Sequence, residues 1–263
     1  MKHLLSVLLT SLSLIMVAPA DAQDTDTGKQ RKHPIMKVLL QLDLNQQQKE
    51  DIKQILQNGR DDMEIYKEDV KELQRALREL TYADTWDEEE VKEAIASRSA
   101  LKQDIQYSRA RAHHSIWLLL STEQQQELNS ITAKRDDKDA DNNERKNRKM
   151  RAWERIAPRL NLSDEQAVAI AQIREQFIEE NEGFRALSKT HRQQERDIIR
   201  ADEFNQDAWL ALYAEHQQPM LDNAFSKVSM QHQIYLVLDD AQREKMRKLE
   251  RFMKSKKKQK RRG

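Results

Sequence analysis

The chain has 263 residues, of which 35% are charged and 5% aromatic, with 4 glycines, 4 prolines and no cysteine. So little apolar surface excludes a thick globular core, and the shortage of turn residues and β-branched runs excludes a sheet. The missing cysteine excludes a disulfide framework and a lipid-modified cysteine, and the formal net charge of +1 hides an acidic body joined to a basic end. An all-α fold of thin or elongated helical packing is what remains.

Residues 1–20 read as a signal peptide. Lys2 and His3 give a positive start, and Leu4 to Val17 is an apolar run too short for a bilayer-spanning helix. Ala18-Pro19-Ala20 offers a small-residue cleavage site, with Ala20-Asp21-Ala22 a second. The expectation is an exported, soluble mature chain. A disordered segment over 21–32 then leads into a first helical unit over 33–133.

A shift of 118 residues lays the chain on itself without a gap: Leu42, Leu44, Gln48, Ile52 and Ile55 fall on Leu160, Leu162, Gln166, Ile170 and Ile173. Further along, Trp86 meets Phe204, Tyr107 meets Phe225, and His114, Ile116, Trp117 and Leu120 meet His232, Ile234, Tyr235 and Leu238. A register kept over this length is an internal duplication. The second unit is expected over 150–253. Between the two, 134–149 is a charge-dense linker or helix extension, and 254–263 reads as a solvated, disordered basic tail rather than a nucleic-acid contact.

Each unit carries one short device twice. Leu44-Asn45-Gln46-Gln47-Gln48, Leu120-Ser121-Thr122-Glu123-Gln124, Leu162-Ser163-Asp164-Glu165-Gln166 and Leu238-Asp239-Asp240-Ala241-Gln242 share a Leu, a capping residue and a Gln three positions on. This is a helix start: the cap side chain accepts from the third backbone N–H of the helix, and the Gln reaches back to the N–H of the cap. The residues after each Gln (Lys49, Gln125, Ala167 and Arg243) do not suit a hydrophobic staple, so the Leu is expected to seal against another helix.

From Ile52 the first long helix shows a heptad pattern, with Ile52, Gly59, Tyr66, Leu73 and Leu80 on one row and Leu56, Met63, Val70 and Leu77 on the other. Thr85-Trp86-Asp87-Glu88 reads as a capping box opening the next helix, which runs to about Leu119. In the second unit Arg174, Asn181 and Ser188 take the places of Leu56, Met63 and Val70, which weakens the seam. Pro219 is expected to kink its long helix.

A short helix, a capped long helix, a second long helix and a last helix opened by Leu-Ser-x-x-Gln resembles the layout of the Spy/CpxP family, whose signature is a pair of Leu-Thr-x-x-Gln motifs. None of the four motifs has Thr at the cap, and Asn45 and Asp239 are looser matches than Ser121 and Ser163. The resemblance implies a cradle-shaped helical protein of the periplasm that binds unfolded or misfolded envelope clients under stress without ATP. It also leaves open a signalling accessory that restrains the periplasmic domain of a sensor kinase, or a metal-binding stress protein. Because relatives work as dimers of one unit, the duplication implies a monomer acting as an intramolecular pseudo-dimer.

The residues themselves point away from catalysis. There is no Gly-rich phosphate loop, no H-E-x-x-H pair, no nucleophile elbow and no cysteine nucleophile, and no cofactor is expected. Paired acids at this charge density mark a solvated helix face. His114 and His232 are repeat-equivalent and are the only metal candidates, weighed against seam histidines.

Overall fold

The computed structural model describes residues 35–141 and 156–259. The signal-peptide reading, the 21–32 segment, the second half of the 134–149 linker and the last four residues lie outside them. Among the described residues every regular element is an α-helix. In the first repeat these are α1 (Met36–Leu39), α2 (Gln46–Glu64), α3 (Lys67–Thr81), α4 (Glu88–Leu118) and α5 (Thr122–Asp141). In the second they are α6 (Asp164–Glu180), α7 (Glu182–Ile199), α8 (Gln206–Val237) and α9 (Asp240–Gln259), preceded by a short helical segment over 156–160.

These helices form despite a polar composition because their exposed faces support themselves. On α2, Gln46, Gln47 and Gln57 donate to Glu50, Asp51 and Asp61 one turn on, at 2.6, 2.8 and 2.9 Å. The opposite face carries the heptad seam. Ile52, Leu56 and Leu77 are buried, while Gly59, Met63, Tyr66, Val70, Leu73 and Leu80 are half-buried.

That seam does not lie on one helix, however. The expected long helix breaks at Ile65–Tyr66, where the Tyr66 N–H bonds to the Met63 carbonyl at 3.3 Å instead of continuing the i−4 ladder. The second repeat breaks at Asn181, whose side chain donates to the Phe177 carbonyl at 2.9 Å. Packing explains both breaks. The front half, α2 or α6, lies mainly along the long helix of its own repeat, whereas the rear half, α3 or α7, touches the long helices of both repeats. One straight rod cannot follow both.

Two further expectations need correction. The cap of α4 is Asp87, which accepts from the Glu90 N–H at 2.9 Å, and not Thr85; Trp86 is thereby freed to turn into the inter-repeat packing. In the segment read as a disordered tail, α9 continues through Gln259. Lysine is a good helix former, and cations near a helix C-terminus suit its dipole. The charged stretch after the first unit is helical at least to Asp141, and α8 runs on through Pro219 as a single element. The weaker seam of the second repeat holds: α7 has no buried residue.

The core is distributed over four clusters. One belongs to the first repeat, where Leu39, Leu44, Ile52, Leu56, Ile116 and Leu120 pack α1 and α2 on the ends of α4 and α5. Its counterpart in the second is Leu160, Ile170, Ile234, Tyr235, Leu238 and Met246. The other two clusters lie between repeats. Leu77, Val91 and Ile95 meet Val228 in one, and Ala110 meets Trp209 and Tyr213 in the other. Val91, Ile95 and Ala110 fall on Trp209, Tyr213 and Val228 under the 118-residue shift, so the two inter-repeat clusters are one contact made twice about a pseudo-two-fold axis.

Ile52 and Ile170 hold the same place, 0% and 1% exposed. Ile52→Ala and Ile170→Ala should each cost about 2–5 kcal/mol in urea unfolding. Gly59→Ala should act the other way. A Cβ there would rest 3.9 Å from the Ala112 Cβ, an ordinary contact, so relief of the helical glycine penalty should add about 0.5–1 kcal/mol.

Candidate functional site

All four motifs form reciprocal caps. The backbone N–H groups of Gln48 and Gln166 donate to their cap side chains at 2.8 and 3.2 Å, and their Oε1 atoms accept from the N–H of Asn45 and Ser163 at 3.0 Å each. Gln124 and Gln242 do the same with Ser121 and Asp239, their Oε1 atoms accepting from the cap N–H at 2.9 and 3.0 Å. Asn, Ser and Asp all serve because the role needs only a short side-chain oxygen.

The two motifs of a repeat also bind each other. Gln48 Nε2 donates to Gln124 Oε1 at 2.7 Å and to the Leu119 carbonyl at 2.8 Å. Gln124 Nε2 returns a bond to Gln48 Oε1 at 3.1 Å and reaches the Asp43 carbonyl at 2.7 Å. In the second repeat Gln166 and Gln242 exchange bonds at 2.8 and 2.9 Å, and their remaining donors reach the Val237 and Asn161 carbonyls at 2.9 and 3.3 Å. Asn161 sits at φ 53°, a left-handed position that Asn tolerates, and ends the short helix before it.

Each amide thus uses two donors and both acceptor sites. Glu has no N–H to give and Asn is one carbon short, which accounts for Gln at all four places. Leu44, Leu120 and Leu238 are buried beneath these clasps and Leu162 is half-buried, as expected of residues that seal against another helix. The motif residues therefore meet within each repeat and form a structural joint.

Between the repeats α4 and α8 run antiparallel. Tyr107 donates to Gln206 at 2.7 Å, the Tyr213 hydroxyl donates to the Ser99 carbonyl at 3.3 Å, and Val91 packs with Val228. The two histidines bridge this face. His114 Nδ1 lies 2.9 Å from the Ile199 carbonyl, and His232 Nδ1 lies 3.0 Å from the Thr81 carbonyl. Both carbonyls belong to the other repeat, and Thr81 and Ile199 are themselves equivalent under the shift. Aromatic contacts follow the same exchange: Trp86 lies 6.1 Å from Phe225 and 4.5 Å from His232, and Phe204 lies 6.0 Å from Tyr107 and 5.6 Å from His114. The sequence candidates His114 and His232 thus stand apart, each pinned to a carbonyl. Among the described residues no group of three His, Cys, Asp or Glu side chains is placed to hold a metal ion.

The exchange is not perfect. Where Tyr82 packs 5.4 Å from Tyr235, the equivalent place has Arg200 5.5 Å over Trp117. Arg247 reaches the Tyr82 carbonyl at 3.3 Å, whereas on the other side Arg200 reaches Asn129 at 2.6 Å. The arginine has changed sides. A cleft of about 390 Å³ between Tyr107, Arg111, His114, Ser115, Phe204 and Gln206 carries a cation where the equivalent position holds Ser229.

Sequence reasoning found each glutamine as half of a cap and missed its second bond. The signal was present in the spacing: Gln48 to Gln124 and Gln166 to Gln242 are both 76 residues apart. Gln48→Ala strips partners from Gln124, the Leu119 carbonyl and the Asn45 N–H, and should cost about 1–3 kcal/mol. In the Gln48→Ala, Gln124→Ala double variant the loss should be less than the sum of the single losses, read from urea midpoints, because the two share one bond set.

Against known proteins, the model of a family described as LTXXQ motif family protein matches the chain twice, over residues 30–132 and 148–250. No curated protein and no solved structure matches it. The two matched spans together cover well over half of the chain and coincide with the two clasped repeats. The chain belongs to the LTXXQ motif family, the Spy/CpxP-like group, and carries the family unit twice.

Proposed function

We propose that this protein is an ATP-independent holdase of the periplasm that shields unfolded envelope proteins under stress. Membership of a Spy/CpxP-type family of periplasmic stress proteins is the background, and the exposed leucines carry the reading. Leu118 and Leu236 are equivalent under the 118-residue shift and are 54% and 48% exposed. They sit at the ends of α4 and α8 beside the glutamine clasps, whose own polar groups are already satisfied. Two large apolar side chains kept at the surface at the same place in both repeats, among charged helix faces, offer the weak, mixed contact that unfolded segments accept. No described helix is long and apolar enough to cross a membrane.

Purified protein without its first 20 residues should suppress light scattering from several denatured clients at a near-stoichiometric ratio without nucleotide. Leu118→Ser with Leu236→Ser should weaken that protection several-fold while leaving helicity unchanged. No suppression over unrelated clients would overturn the reading. Capture of one sensor-kinase domain in that event would point to the signalling accessory instead.

The inter-repeat contact also leads us to infer that one chain does the work of a dimer. Both halves of a two-fold interface are filled from within. Light scattering should give a monomer, and a tight dimer through α4 and α8 would refute this.

A further inference from the structure

The second repeat departs from the first at three positions that fall on one seam. His191 on α7 and His216 on α8 bring their ring centroids to 4.3 Å, and Glu195 lies one turn beyond His191. The first repeat has Leu73, Arg98 and Leu77 at these places, and Leu77 is buried. Two leucines and an arginine in one copy stand where the other has two histidines and a glutamate.

The surroundings are tight. His216 is 4% exposed and its Nδ1 lies 3.1 Å from the Leu212 carbonyl. An Nδ1–H bonded there leaves a lone pair on Nε2, which is buried and has no hydrogen-bond partner. Arg192 on α7 and Glu215 on α8 flank His191. Glu195 accepts from the Trp209 indole N–H at 3.2 Å and has Arg109 of α4 beside it. Asp104 of α4 lies near Tyr213, whose hydroxyl is bonded to the Ser99 carbonyl. No side chain of α7 is fully buried, and its C-terminal end is held by Ile198 and Ile199 against the Trp209 cluster.

We propose that the His191–His216 pair is a proton-operated latch that holds α7 on α8 at neutral pH and releases it on mild acidification. Protonation of His191 would place a new cation against the buried imidazole of His216 and beside Arg192.

The sign follows from the surroundings of His191. Burial first, then His216 and Arg192, hold its imidazole below the ordinary 6.5, with Glu215 opposing. The closed seam therefore favours the neutral ring, and the released helix takes up its proton at the ordinary value. Closure is fully stabilised above about pH 6.5 and loses that stabilisation as the pH falls below it. Glu195 acts in the opposite sense. Burial pushes its carboxyl up from 4.5 against the Trp209 N–H and Arg109, so its protonation favours the packed form.

The latch is independent of client binding, and α3 of the first repeat is its built-in control. Hydrogen exchange by mass spectrometry on the full chain at pH 7.5 and 5.5, corrected for intrinsic rates, reads both helices together. Exchange across α7 should rise several-fold at pH 5.5 while α3 stays unchanged. His191→Leu, which installs the residue of the first repeat, should abolish the rise, and His191→Gln should do the same if the leucine variant folds poorly. Equal protection of α7 at both pH values, an equal rise in α3, or a rise that survives in the folded variants would overturn the latch.

Discussion

The antiparallel packing of α4 on α8 is the contact the molecule is organised around. Neither repeat contains a core able to cover both ends of its own long helix. Each buries one end of that helix beneath its clasped motifs, and the other end finds its apolar partners only in the second repeat, where Val91 and Ile95 meet Val228 and Ala110 meets Trp209 and Tyr213. The helix breaks at Tyr66 and Asn181, the turning in of Trp86 and Phe204, and the bridging of His114 and His232 to opposite carbonyls are all consequences of serving two long helices at once.

Within a repeat, the glutamine clasp fixes the fork at which the helices meet. A reciprocal amide pair, satisfied on every donor and acceptor, sets the distance between the starts of α2 and α5 as well as their capping. This explains how the motif tolerates Asn, Ser or Asp at its second position but keeps Gln at its fifth. The leucine that begins each motif closes the joint from below.

Local features were legible in the sequence, and partnerships were only partly so. Caps at Asn45, Ser121, Ser163 and Asp239 follow from side-chain chemistry over three residues, and the seam residues from Ile52 to Leu80 follow from their period. Whether that seam lies on one helix does not follow, because a heptad marks a face and not what the face meets. The cap of α4 was misplaced from Asp87 to Thr85 because both offer an oxygen, and only the burial of Trp86 against Phe225 decides between them. His114 and His232 were recognised as a matched pair. Their partners, the carbonyls of Ile199 and Thr81, are backbone atoms that leave no mark in a side-chain pattern.

Duplication within one chain also changes what the interface can become. A dimer of identical units spends each mutation twice, so an arginine placed on one side must appear on the other. Here Arg200 and Arg247 both belong to the second repeat, at positions where the first has Tyr82 and Asn129, and His191 and Glu195 stand where the first repeat has leucines. The pairing of α4 with α8 is intramolecular, so its strength is set by an effective concentration of order millimolar, typical of tethered partners, and not by how much protein is present. Dilution does not separate the halves. The two faces are consequently free to specialise, one retaining the inherited apolar seam while the other acquires chemistry that a symmetric dimer would have had to carry on both sides.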